Sequence, residues 1–501
     1  MFKLITKLRF KIIKTINIIG AGIGGLASAI RLAAKGYRVR VFEKNSYPGG
    51  KLSELRLGAY RFDKGPSLFT LPELVEELRE ISQKHNDSFT YTRLTEITSY
   101  FFEDGTCVKA SSEPDVFALE IERKLGENRA LVLKHLRKSA FYYNTVRALF
   151  LEQSLSGFKN LFRLATLKGL LRAPRLHLFS NMHDINAARF KNPKTVQLFN
   201  RYATYNGSDP YRAPALLNLI PHLEFNMGAY LPEKGMHQIT EQLYKWAMDS
   251  GVEFYFNHAV EKIILKGDRA CGLMSKGQVY LSDLVLSDMD MSALYKNLLP
   301  ALYSPKKLLE QEKSSSAFVF YWGIKRPFPE LGLHNILFSE NYKEEFRCLF
   351  EEQAPYSDPT VYVNITSKYC KADAPEGCEN WFVMVNAPHN KHGEKIKYTD
   401  TLRKQVIEKI NRVLKTDIEP LIEVEDVLDP YGIELQTSSL GGSLYGNASN
   451  SRFSAFLRHA NFSKTIKGLY FAGGSVHPGG GIPLCLLSAK IVTQLIEERE
   501  K

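Results

Sequence analysis

Three observations predict an α/β fold for this chain. INIIGAGIGGLASAIRLAAKGYRVRVFEK (16–44) reads as a buried strand over 16–19, a glycine turn, a helix over 24–34 and a second strand over 38–42 that ends at Glu43. LYFAGGSVHPGGGIP (469–483) opens with a short apolar strand over 469–472 and places Pro483 where a helix running to about 498 would begin. SSAFVFYWGI (315–324) and NWFVMVNAP (380–388) are strand-like runs far from both.

The first stretch is a complete βαβ unit carrying GxGxxG at Gly20, Gly22 and Gly25. In that unit the first glycine permits the tight turn, the second lets a pyrophosphate approach the backbone, and the third lets helix and strand pack closely. The helix N-terminus then faces the phosphates. Glu43 follows Gly25 by 18 positions, where a carboxylate accepts hydrogen bonds from ribose hydroxyls and repels a 2′-phosphate. This is a Rossmann-like dinucleotide site. Next comes Gly49-Gly50-Lys51, whose bare backbone can approach a phosphate or a ribityl chain and whose lysine offers a point charge.

Here the sequence resembles the FAD-dependent amine oxidase and carotenoid desaturase superfamily, in which a GxGxxG unit ends in Glu and is followed shortly by a GG motif. That motif usually closes with Arg, and the Lys51 of this chain gives up bidentate geometry. The resemblance extends to YLPEKGMHQITEQLYKWAMDSGVEFYFNHAVEKIILKGDRACGL (230–273), SSLGGSLYGNA (438–448) and the stretch at 469–483. It implies FAD as cofactor. The ligands it implies are Gly20, Gly22, Gly24, Gly25, Glu43, Gly49, Gly50, Lys51, Ser67, Val260, Gly474, Ser475, Gly481 and Ile482, with the backbone around Val260 against the adenosine end.

RYATYNGSDPYRAPALLNLIPHLE (201–224) is similar to the branch acting on 1-hydroxylated carotenoids rather than on phytoene. The implied reaction moves a hydride from an allylic carbon to the flavin and a proton from its neighbour, giving a C3–C4 double bond conjugated to the polyene. Asp209 is the candidate acid/base or hydroxyl-binding residue, with an Asx turn in Gly-Ser-Asp-Pro as its structural alternative. The glycine motifs also admit a phytoene desaturase, a carotenoid isomerase or an amine oxidase. A prenyl-lipid escort of the same fold would bind lipid without chemistry, but intact cofactor motifs at both ends of the chain argue against it.

The stretch from Gly468 to Ala489 is uncharged, yet its six glycines and two prolines do not suit a membrane span. They do suit a flavin. The helix beginning at Pro483 aims its positive end, with the amides of Gly481 and Ile482, at the place where a reduced flavin develops negative charge. His477 is expected to be a loop residue with a backbone partner, and Cys485 a packing residue.

The six cysteines have no CxxC spacing and no histidine cluster, so neither disulfides nor a metal site is expected, which suits a reducing, cytoplasmic setting. The net charge of +12 is concentrated in two windows. Residues 1–14 carry five basic residues and no acid, and 134–175 carry nine against Glu152, leaving the rest of the chain close to neutral. That local excess points to a membrane surface rather than to nucleic acid. The N-terminal window suits a surface helix or an unstructured leader, and its interleaved charges do not suit a secretory signal. The Leu- and Phe-rich window 141–179 is the candidate docking region for an elongated, water-insoluble substrate, with an ordinary solvated helical region as its alternative.

The expected architecture follows. Residues 1–115, 228–300 and 431–501 build a discontinuous FAD-binding domain. Residues 116–227 form the helical, membrane-facing part of an α+β substrate domain, and 301–430 supply its sheet. Oligomeric state is open.

Overall fold

A computed structural model describes residues 13–83, 88–147, 176–177, 179–391, 393–451 and 458–500, apart from the side chain at 308. Most of the window 141–179 and nearly all of the N-terminal window lie outside the described residues.

A five-stranded parallel sheet is assembled from three parts of the chain, in the order Leu469–Phe471, Leu284–Ser287, Thr15–Ile19, Arg38–Phe42 and Glu253–Tyr255. The central strand is buried on both faces at Ile16, Asn17 and Ile18, which is why INII reads as a continuous apolar run with one polar interruption. Asn17 Nδ2 donates to the Tyr280 carbonyl at 2.8 Å. Helix Ile23–Ala34 lies on this sheet, flanked by helices His237–Asp249 and Ile482–Arg499. Its small residues Ala27 and Ala29 are fully buried and permit that close layering.

The second layer is a seven-stranded sheet ordered Ile422–Leu428, Ser316–Ile324, Glu379–Ala387, Val361–Asn364, His334–Leu337, Glu96–Phe101 and Cys107–Ser111. Every residue of Ser316–Ile324 is buried because both faces are covered. Phe318, Phe320 and Trp322 pack with Leu402, Val406 and Ile410 of helix Thr399–Leu414. The intervening Ala317 and Val319 face the interior cavity.

Strands Glu96–Phe101 and Cys107–Ser111 fall within the stretch expected to belong to the cofactor domain, but they pair here instead. Asn335 to Leu337 align in parallel with Ser99 to Phe101, extending the substrate-side sheet with a piece from early in the chain. Helices Pro114–Leu125, Arg129–Val146, Met182–Arg189 and Pro193–Asn200 cover one end, and the short 3-10 helix Arg201–Asn206 leads from them toward the cavity. Among the described residues, no helix is long and apolar enough to cross a membrane.

Candidate functional site

A cavity of about 800 Å³ lies between the two sheets, walled at one end by glycines and at the other by the seven-stranded sheet and the helical cover. The glycine end forms at the carboxyl ends of the parallel strands, the usual ligand position in such sheets. Three glycine segments meet there. The Gly49 amide donates to the Ala21 carbonyl at 2.8 Å, so the GG motif lies against GxGxxG. A Cβ on Gly24 would stand 2.9 Å from Gly473 Cα, which brings the C-terminal loop against the same helix. A Cβ on Gly25 would stand 2.2 Å from the Gly20 carbonyl oxygen, so only glycine lets helix and turn close this tightly.

The hollow beside Gly22, Gly24 and Gly473 is filled from the next strand by Asp288, whose carboxyl oxygens lie where added Cβ atoms would fall, at 2.4, 2.4 and 2.3 Å. Burial pushes Asp288 up to about 7, with Glu43 adding to the effect, against hydrogen bonds from the Gly25 and Gly22 amides. Below about pH 7 a carboxyl held mainly neutral at this place would avoid putting a further negative charge beside a diphosphate.

Glu43 is buried at the end of its strand, where Oε2 accepts the Ala21 amide at 2.9 Å and Oε1 the Asn45 amide at 2.9 Å. Those bonds fix the carboxylate and leave further lone pairs for hydroxyl donors. Gly20, Gly22, Gly24, Glu43, Gly49, Gly50, Lys51, Ser67, Val260, Gly474, Ser475, Gly481 and Ile482 all line the one cavity, with Gly25 directly behind it.

Besides Glu43, three of these side chains are engaged by the protein itself. Lys51 Nζ donates to the Leu444 carbonyl at 2.6 Å and to that of Ser443 at 3.3 Å, which tethers the 438–448 loop, while burial lowers its pKa. Ser475 Oγ accepts the Met291 amide at 2.9 Å, and Ser67 Oγ is 2.7 Å from Tyr362 Oη. Helix Ile482–Arg499 starts as expected, with Gly481 at φ +106° before it and Pro483 in its first turn. Its first intrahelical bond is Cys485 N–H to the Gly481 carbonyl, leaving the Gly481 and Ile482 amides outside the helical ladder. His477 and Cys485 also line the cavity. The His477 backbone accepts from Asn461 Nδ2 at 2.8 Å, and burial pushes the Cys485 thiol up to about 12, so it stays protonated.

Asp209 is placed elsewhere. Its Oδ1 accepts the Tyr211 amide at 2.8 Å, closing an Asx turn, and its own amide donates to Asn450 Oδ1 at 2.8 Å. Burial raises it to about 6, but it is not part of the cavity wall, whereas Arg201, Thr204, Tyr205 and Asn206 of the same segment are. The Asx signature of Asn-Gly-Ser-Asp-Pro pulls the carboxylate toward its own backbone.

Several wall residues have no local motif. Arg458 is buried and its guanidinium donates to the carbonyls of Tyr445 at 2.8 Å and Gly474 at 3.2 Å and to Asn206 Oδ1 at 2.9 Å. Among the described residues it has no carboxylate partner, and burial pulls it down to about 10. Arg201 pairs with Glu224 at 3.2 Å, and this buried pair is enclosed by the hydroxyls of Tyr100, Tyr202 and Tyr205. Asp288 alone had a readable signal, since SDMD closes an apolar run at a strand's carboxyl end.

Flavin adenine dinucleotide suits these groups. Bare glycine backbone, a fixed carboxylate at the ribose position and a helix N-terminus at the opposite wall supply what its diphosphate, ribose and ring require. Among the described residues no cluster of His, Cys, Asp or Glu could hold a metal ion.

The family model described as flavin containing amine oxidoreductase matches residues 23–496. The chain is 50% identical over 479 residues to a 1-hydroxycarotenoid 3,4-desaturase of Flavobacterium sp. (strain P99-3), covering 96% of this chain and 98% of that one. It is 32% identical over 498 residues to a phytoene desaturase of Phycomyces blakesleeanus, covering 96% of this chain and 85% of the relative. Putrescine oxidase bound to putrescine has the same fold at 12% identity, with a TM-score of 0.64 over 97% of this chain and 99% of that one. The chain therefore belongs to the flavin containing amine oxidoreductase family.

Proposed function

We propose that this chain is an FAD-dependent carotenoid desaturase that introduces the C3–C4 double bond into a 1-hydroxycarotenoid. The observation that carries the reading is half identity to the Flavobacterium 3,4-desaturase across nearly the whole of both chains. The cavity fits it, because glycine backbone at one end suits a dinucleotide and the apolar wall at the other suits a polyene. When bound, the flavin supplies a hydride acceptor, so two hydrogens leave adjacent carbons as a hydride and a proton. The chain's own residues hold the cofactor, orient the polyene against it and keep water away.

So apolar a substrate comes from lipid. The basic windows at 1–14 and 134–175 support attachment to an anionic cytoplasmic membrane surface, with the helical region 116–227 as the docking side. Sedimentation with anionic liposomes at low and moderate salt tests this: bound protein that is released by salt supports electrostatic docking, and protein that never sediments refutes it.

Expression in cells that accumulate phytoene, lycopene or a 1-hydroxycarotenoid tests the substrate. A red shift of the pigment with the hydroxylated precursor alone supports the reading, and conversion of phytoene moves the chain to the phytoene desaturases. Purified protein that takes up no FAD would favour a lipid escort without chemistry.

A further inference from the structure

The substrate end of the cavity is mostly hydrocarbon, with Val319, Ile336, Phe382 and Met384 on its sheet wall. Between such surfaces a polyene gains few polar contacts, and sliding it by one bond changes its apolar contacts little. Polar side chains such as Thr98, Thr360 and Asn386 also line the cavity, and one polar network is centred on Tyr362 and His334. Tyr362 Oη lies 2.7 Å from Ser67 Oγ and 2.7 Å from His334 Nδ1, and Asn364 Nδ2 lies 3.1 Å from the same Nδ1. Asn364 Nδ2 is also 3.0 Å from the Leu333 carbonyl oxygen, which identifies it as the amide nitrogen.

An amide nitrogen only donates, so His334 Nδ1 accepts and the neutral ring carries its proton on Nε2. The ring is held neutral, because burial, with the Arg201 charge adding to it, pushes its pKa down to about 3. His334 is 4% exposed and forms part of the cavity wall, yet its Nε2 has no hydrogen-bond partner among the described residues. The neighbouring Arg201, by contrast, is already bonded to Tyr100, Tyr205 and Glu224.

We propose that His334 is a specificity-determining residue whose Nε2–H donates to the hydroxyl of the substrate and so sets the register of the polyene. The inference rests on the desaturase reading above. In a 1-hydroxycarotenoid the oxygen sits on C1, two carbons from C3, so anchoring that one group fixes where the reacting bond lies. A site built to bond a substrate hydroxyl also discriminates strongly against the analogue that lacks it, because its donor is then left unpaired.

The test compares kcat/KM of the FAD-loaded enzyme for a 1-hydroxycarotenoid and for the same polyene without the hydroxyl, in wild type, His334→Phe and His334→Gln. Wild type is expected to prefer the hydroxylated polyene by about 100-fold or more. His334→Phe lowers that preference by about tenfold or more, mainly through the hydroxylated substrate, while flavin content and flavin absorption stay as in wild type. His334→Gln, which keeps an N–H donor, retains part of the preference. His334→Leu, shorter than the native ring, carries the same expectation as Phe where the larger aromatic side chain disturbs folding. A His334→Phe or His334→Leu enzyme with full flavin and an unchanged preference overturns the assignment while leaving the desaturase reading intact. Wild type inert toward the hydroxylated polyene overturns both.

Discussion

The two ends of the cavity are built in opposite ways. At the glycine end, backbone does most of the work: GxGxxG, GG and the loop at 473–481 each lie in a few consecutive residues, and the fold brings the three together. At the substrate end, side chains do it. The Ser67, Tyr362, His334 and Asn364 network joins an early loop to two neighbouring strands of the large sheet, and Arg201 reaches Glu224 through a cluster of tyrosines. On the proposed function, dinucleotide binding depends on shapes that only glycine permits, and substrate choice on a few polar side chains in an apolar wall.

Substitutions at each end should therefore fail differently. The largest effect is expected at Gly25, where any side chain meets the Gly20 carbonyl oxygen within 2.2 Å. Gly25→Val should purify with less than about a tenth of the wild-type flavin, read from the ratio of flavin to protein absorbance.

Asp288 comes next, through pH. Its folded pKa of about 7 lies above the unfolded value of 3.8, so the folded state binds more protons between those values. Its contribution to stability is complete below about pH 4, is lost as pH rises toward 7, and amounts to roughly 4 kcal/mol at most. Melting temperatures of the flavin-free protein from pH 5 to 8 should fall more steeply for wild type than for Asp288→Asn.

Glu43→Gln keeps the shape but removes the charge that holds the Ala21 and Asn45 amides, and should weaken FAD binding by about 10- to 100-fold in a titration. The smallest effect is expected at Asp209. Because its carboxylate closes an Asx turn and does not line the cavity, Asp209→Asn should keep turnover within about threefold, and a fall beyond about 100-fold would put that carboxylate in the chemistry.

The same contrast explains what was legible in the sequence. The first two strands of the parallel sheet, the first helix and the helix after Gly481 follow from apolar runs bounded by glycine and proline, and the candidate cofactor residues from Gly20 to Lys51 follow from motif spacing, while Ser67, Val260, Gly474 and Ser475 come from the resemblance. Strand Glu96–Phe101 was not assignable to its sheet, because its partner lies more than two hundred residues away and pairing register leaves no local mark. His334 and Arg458 carry no motif for the same reason. Their chemistry comes from burial and from partners that only the folded chain supplies. Asp209 shows the reverse case, where a polar residue in an apolar neighbourhood attracts a functional reading and local turn chemistry accounts for its position.

The central claim is that one cavity holds FAD at its glycine end and a carotenoid at its apolar end, and that the two react. An anaerobic single turnover tests it most directly: FAD-loaded protein is mixed with excess 1-hydroxycarotenoid and the polyenes are separated and counted against the flavin. The account predicts one equivalent of polyene with one more conjugated double bond per FAD, with matching flavin reduction and no product from flavin-free protein. Product formed equally well without FAD, or fully loaded protein that forms none, would contradict it.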